Sequence, residues 1–183
     1  ELKSTLLQED RFPIVTLLGK GGVGKTSLAI NLITNIANSE RFELIIWFSS
    51  RDIDLLIDGP KQVQTKVLKI EDMAKDYCSL LYPDAKKPEY EQLFANDLTN
   101  NTFGKSLYIF DNFETITNPV EVFEWINTYI RNPNKVLITS RISRNFKADY
   151  PIEVQGMSDE ECKELINEFA KELNITSYLT DNY

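Results

Sequence analysis

The sequence of 183 residues contains no histidine. That absence removes the commonest general base near neutral pH and the commonest metal ligand, so any chemistry must run on carboxylates, lysine, arginine, threonine and a metal ion. Cysteine is scarce as well. Cys78 and Cys162 stand far apart among helix-patterned apolar residues, which reads as two buried small hydrophobes and fits a reducing cytoplasm. No apolar run approaches the roughly 18 to 20 residues needed to cross a bilayer, so no membrane partner is expected. Nothing near Glu1 has the basic start, apolar core and small-residue site of a signal peptide, and the first residue is not methionine, so the sequence is read as a segment of a longer chain. Cations are outnumbered, 20 Lys and Arg against 28 Asp and Glu for a net charge of −8. A broad surface for nucleic-acid phosphates needs clustered Lys and Arg, and direct nucleic-acid binding is therefore not expected.

What the sequence does contain is ordinary globular material, 42% hydrophobic and 26% charged, in a length suited to one well-buried domain. Five short apolar runs, 12–18, 42–49, 106–111, 135–140 and 150–156, show little polar alternation, as strands covered on both faces require. They predict a parallel sheet. Between them, 26–37 places Leu28, Ala29, Leu32, Ile33 and Ile36 on one helical stripe, and 70–81 does the same with Ile70, Met73, Ala74, Tyr77 and Leu81. Asn118, Pro119 and Glu121 read as an N-cap, an N1 proline and a capping-box glutamate opening a helix through Ile130. Ser158 and Glu161 open another, with Cys162, Leu165, Ile166, Phe169 and Leu173 as its buried stripe. Residues 52–69 and 83–88, with their glycine and prolines, read as loops, followed by a short helix from Glu89 to Leu98. Trp47 and Trp125 are expected to pack in a core or an interface rather than stack on a base. The domain is expected over 1–174, with the polar residues 175–183 as a linker or the start of a truncated neighbouring module.

Residues 19–27 read GKGGVGKTS. Gly19 followed by Gly24-Lys25-Thr26 completes G-x-x-x-x-G-K-[ST], a loop whose backbone N–H groups cradle nucleotide phosphates. It lies after the strand ending at Leu18 and before a helix, the context this motif needs. The phosphate-binding residues are then Gly19, Lys20, Gly21, Gly22, Val23, Gly24, Lys25, Thr26 and Ser27. Lys25 would meet the β- and γ-phosphates, the Thr26 hydroxyl would hold Mg²⁺, and the helix N-terminus adds a favourable field for anions. Lys20 also matches the variant loop of partition-type dimeric ATPases. Those proteins place a D-x-P strand end soon after the second strand, whereas here that strand runs into WFSSRD and the next one ending in Asp is SLYIFD, far downstream. That spacing belongs to the additional-strand class, in which an inserted strand carrying a polar sensor, here KVLITSR, separates the loop strand from the strand bearing the second acidic motif. The predicted fold is α/β, a three-layer P-loop NTPase of that class with a five-stranded, mainly parallel sheet flanked by helices. Guanine recognition uses N-K-x-D, and the only Asn-Lys, Asn134-Lys135, continues Val-Leu, so adenine is the expected base.

Taken in order, GKGGVGKTSLAINL, FELIIWFSS, SLYIFDNFE, KVLITSR and VQGMSDEEC resemble the motifs of STAND ATPases, the NB-ARC and NACHT-like signalling NTPases of innate immunity, apoptosis and bacterial anti-phage defence, over about residues 12–173. The resemblance implies a switch that binds ADP at rest, hydrolyses ATP slowly and oligomerises on ATP to drive an effector, with effector and sensor domains outside this segment. An alternative is a non-hydrolysing module that keeps ADP as a structural cofactor. The resemblance makes Asp111 the Walker B aspartate that orders Mg²⁺ through water and Arg141 the sensor at the sheet's C-terminal edge. Arg51 also follows a strand end and either approaches a γ-phosphate or is solvated. Strongly hydrolytic relatives carry a glutamate directly after the Walker B aspartate. Here that place holds Asn112, which positions water but cannot take its proton. Glu114 is the candidate substitute, but an extended chain would leave it about 6.6 Å further along than Asn112, too far unless the loop curls back.

Overall fold

The computed structural model describes residues 2, 4, 6, 11–37, 41–49, 53–56, 59–62, 69–141 and 150–172, with the backbone alone for 53–56 and 59–62. In chain order the elements are β1 (Ile14–Leu18), α1 (Lys25–Ile36), β2 (Leu44–Ser49), β3 (Ile53–Leu56), β4 (Gly59–Gln62), α2 (Ile70–Leu81), α3 (Tyr90–Thr99), β5 (Ser106–Asp111), α4 (Pro119–Tyr129), β6 (Lys135–Ser140), β7 (Tyr150–Glu153) and α5 (Asp159–Glu172). The five apolar runs lie side by side in the order β2-β5-β6-β1-β7, every neighbouring pair parallel. β6 therefore separates β1 from β5, the place expected for KVLITSR.

Successive strand residues point to opposite faces, and both faces are covered. Ile14, Tyr108, Phe110, Val136 and Ile138 meet Tyr77, Phe94, Phe123 and Ile126 from α2, α3 and α4. Their sheet neighbours Val15, Leu17, Leu107, Ile109 and Leu137 meet Ala29, Leu32 and Ile36 from α1. The result is three layers, helix, sheet and helix. Phe48 stacks on Phe110 with ring centroids 5.0 Å apart, and each such fully buried aromatic side chain contributes about 1.5–3 kcal/mol. Trp47 and Trp125 sit partly buried against opposite cores, Trp125 with its ring 5.3 Å from Phe94, so both pack as expected.

Two polar side chains tie the layers together at the strand starts. Asp97 is buried and accepts hydrogen bonds from the hydroxyls of Tyr77 and Tyr82, each at 2.8 Å, and burial pushes the Tyr77 hydroxyl's pKa far above its usual value. Asn134 is fully buried. Its amide donates to the carbonyls of Asp97 and Leu98 at 3.0 and 3.1 Å, and its Oδ1 accepts from Ser106 N–H at 3.0 Å. It stands just before β6, at the opposite end of the sheet from the loop after β1, and so takes no part in reading a base.

The structure corrects four local expectations. Residues 53–56 and 59–62 form an antiparallel ribbon, not loop. Pro60 is tolerated there because a two-stranded ribbon leaves outward-facing positions where no N–H is needed. Asn118 precedes α4 with Pro119 at N1, but its backbone is left-handed and its side chain caps no helical N–H; its amide donates instead to Glu121 at 3.2 Å. The capping box of α5 forms in full, Ser158 N–H to Glu161 at 2.7 Å and Glu161 N–H to Ser158 Oγ at 3.2 Å. Its apolar stripe, however, is not buried: Ile166 and Phe169 are 53% and 54% exposed. On the same helix Cys162 is half-buried, whereas Cys78 is buried as expected. Leu173 and 175–183 lie outside the described residues, as does Arg51.

Candidate functional site

A parallel sheet gathers its strand ends at one edge, and ligands of open α/β sheets collect at the C-terminal ends. Here β1, β5 and β6 deliver Gly19, Asp111 and Arg141 to that edge. The loop after β1 takes left-handed turns at Gly22 (φ 77°) and Gly24 (φ 95°), where any Cβ would be strained. It is tied to its neighbour strand through Gly19 N–H to Ser140 O at 3.3 Å, and internally through Val23 N–H to Lys20 O at 3.4 Å. Ser27 is exposed in the first turn of α1.

Lys25 opens α1 and folds back beneath the loop. Its Nζ donates to the carbonyls of Gly19 and Lys20 at 2.8 and 2.9 Å. Burial lowers its pKa below the ordinary 10.5, Glu114 and Asp111 act in the opposite sense, and Arg141 lowers it further. Glu114, Asp111 and Arg141 are thus all close enough to act on Lys25.

Asp111 ends β5 with 1% exposure, a costly place for a carboxylate unless it is hydrogen-bonded. Its Oδ1 accepts from Thr26 Oγ1 at 2.8 Å and from Thr139 Oγ1 at 2.6 Å. Thr139 in turn accepts the Asn112 N–H at 3.0 Å. Sequence reasoning assigned Thr139 no role. The signal was faint: a hydroxyl in an otherwise apolar strand acquires meaning only once β6 is known to lie beside β5.

The chain after Asp111 does curl back. Asn112 is left-handed (φ 58°) and a 3₁₀ turn follows over Phe113–Thr115, so the extended geometry that would carry Glu114 away does not apply. Glu114 turns towards β6 instead. Its Oε2 accepts Arg141 N–H at 3.1 Å, and its Oε1 lies 3.1 Å from Arg141 Nε in an ion pair whose alignment falls short of a hydrogen bond. Arg141, with its side chain 61% exposed, also lies over the phosphate loop: a Cβ added at Gly21 would stand 3.5 Å from the guanidinium.

The residues suit a magnesium ion. Thr26 and Asp111 stand in hydrogen-bond contact beneath the loop, and among the described residues no group of three or more acidic or thiol side chains forms a cage. Mg²⁺ is usually held in that way, by one or two side chains together with nucleotide phosphates. An open groove of about 710 Å³ lined by Leu81, Tyr82, Ala85 and Leu93 shares no residue with this site.

Comparison with known proteins supports the same assignment. The family model described as the NB-ARC domain matches residues 1–175. The chain belongs to the NB-ARC family. This NB-ARC chain is similar in structure to Cdc6p from Pyrobaculum aerophilum (TM-score 0.62, 12% identity, covering 93% of this chain and 46% of that one). The ORC1 protein of Aeropyrum pernix, solved in complex with DNA, is alike at TM-score 0.63 and 11% identity, covering 92% and 46%. RuvB of Thermotoga maritima follows at 0.51 and 16%, covering 94% and 48%. The chain spans less than half of each of these proteins, and the likeness establishes the three-layer P-loop NTPase fold. No curated protein sequence matches the chain significantly. The NB-ARC family and its fold make this a nucleotide-binding P-loop module, and no helix among the described residues is long and apolar enough to cross a membrane.

Proposed function

We propose that this NB-ARC domain is the switch core of a larger STAND signalling or defence protein in the cytoplasm: it binds ATP or ADP with Mg²⁺, hydrolyses ATP slowly, and controls homo-oligomerisation through parts of the protein outside this segment. The observation that carries the reading is the convergence of Lys25, Thr26, Asp111, Glu114 and Arg141 at one sheet edge. The phosphate loop and Lys25 would hold the phosphates, and Thr26 and Asp111 would hold the metal ion, which supplies charge neutralisation at the β- and γ-phosphates. Glu114 and Arg141 would then serve hydrolysis and γ-phosphate sensing. Their pairing supports slowness, because each must leave the other before it acts on a nucleotide. The same pairing favours a second reading, a non-hydrolysing module that retains ADP and works by assembly alone. Contact with DNA, as in the Aeropyrum pernix complex, is not carried over: the net charge of −8 opposes it.

Denaturing the purified protein and resolving the supernatant by anion exchange tests the reading directly. Retained ADP is the expected result, and GDP would overturn the base assignment. Arg141→Ala separates sensing from structure. It should weaken binding of non-hydrolysable ATP analogues by about tenfold or more while sparing ADP, since only the former presents a γ-phosphate; equal losses for both would make Arg141 structural.

A further inference from the structure

We infer that Thr139 is the positioning residue through which Asp111 serves metal-dependent nucleotide binding, an inference that rests on the nucleotide reading above. A threonine hydroxyl has one proton and two lone pairs. One lone pair receives the Asn112 N–H at 3.0 Å. The proton goes to Asp111 Oδ1 at 2.6 Å, a short contact of the charge-assisted kind. Because a carboxylate has no proton to give, the hydroxyl's direction on that side is settled: Thr139 donates and Asp111 accepts. Thr139 itself is fully buried, on a strand whose pairing with β1 and β5 fixes its height in the sheet.

Two consequences follow from that one oxygen. On one side it fixes the Asp111 carboxylate against Thr26, whose hydroxyl reaches the same Oδ1 at 2.8 Å. When Thr26 turns a lone pair to a metal ion, Thr139 continues to orient the aspartate. On the other side it anchors the N–H of Asn112, the residue whose left-handed backbone turns the chain so that Glu114 reaches Arg141. Thr139 therefore orients both the metal-facing and the hydrolytic halves of the site without itself facing the nucleotide.

Titration calorimetry with ADP, in excess EDTA and in excess magnesium chloride, tests this on the wild type, Thr139→Val and Thr139→Ser. The readout is the gain in affinity that magnesium confers. Thr139→Val keeps the side chain's shape and removes both bonds. Its magnesium gain should fall by about tenfold or more, as loss of a charge-assisted hydrogen bond implies, while its affinity in EDTA stays close to wild type. Thr139→Ser restores the hydroxyl and should restore the gain. A full magnesium gain in folded Thr139→Val overturns the inference and leaves the nucleotide reading standing. Should the valine variant not fold, the serine variant decides, since a folded Thr139→Ser without the gain would show that the methyl group and not the hydroxyl matters. Absence of ADP binding by the wild type in both buffers would overturn the nucleotide reading and this inference with it.

Discussion

Under the proposed function, Lys25 is the single residue on which nucleotide binding most depends. Two of the three N–H groups of its ammonium are held by loop carbonyls, which leaves one to donate to a phosphate oxygen without competition. Charge-assisted hydrogen bonds are worth about 1.5–3 kcal/mol each, and Lys25→Ala should therefore weaken ATP and ADP binding by about ten- to ten-thousand-fold; unchanged affinity in a folded variant would remove the central claim. The direction of its pKa gives a second test. The protonated form is the one that binds phosphate, and burial holds the pKa below 10.5, so ADP affinity should decline as pH rises through that lowered value, earlier than for an ordinary lysine. Calorimetric titration across the alkaline range measures this, with Lys25→Ala lacking the decline. At this scale the sequence was informative where a motif is contiguous: the spacing within residues 19–27 alone marks a P-loop. It was uninformative where partners meet only after folding, as Thr139 and Asp111 do across two strands.

At the scale of elements, strands and helices were legible because both faces of the sheet are covered, so that SLYIFD and KVLITS hold the unbroken apolar runs 107–110 and 136–138 between polar residues. Periodicity reports that a helix has an apolar face, and does not report whether the chain itself covers that face. α4 and α5 illustrate the difference. Ile126 is fully buried, whereas Ile166 on α5 is 53% exposed. Truncation of a buried isoleucine to alanine typically costs about 2–5 kcal/mol, and surface substitutions stay within about 0.5 kcal/mol. In urea unfolding of this chain, Ile126→Ala should be strongly destabilising and Ile166→Ala nearly neutral; a loss of several kcal/mol at Ile166 would mean that α5 is packed in solution. The ribbon at 53–62 was missed for the converse reason, because Gly59 and Pro60 are breakers within a sheet and are tolerated in an isolated pair of strands.

The whole molecule is organised so that three strand ends must cooperate: β1 delivers the phosphate loop, β5 the aspartate and β6 the threonine and arginine. The order β2-β5-β6-β1-β7 makes this possible, and of it only the place of β6 between β1 and β5 was anticipated from the distance between the loop and SLYIFD. The path of the chain after Asp111 was not, since nothing in DNFE announces that Asn112 will turn left-handed. That turn decides the expected rate. Under the proposed function, Asn112 stands where the resemblance implies a catalytic glutamate in strongly hydrolytic relatives and cannot accept a proton, and the nearby carboxylate, Glu114, is paired with Arg141 at 3.1 Å. A γ-phosphate would compete for Arg141 and release Glu114, but each turnover then begins by breaking an ion pair and reshaping the turn. Intrinsic hydrolysis should therefore run well below about 1 s⁻¹, under the usual range for enzymes. Glu114→Gln should slow it further while leaving ATP affinity intact, and Asn112→Glu, which restores a carboxylate directly after Asp111, should speed it. Single-turnover measurements on the three proteins are decisive: fast wild-type hydrolysis, or a rate indifferent to Glu114→Gln, would show that this pair does not time the switch.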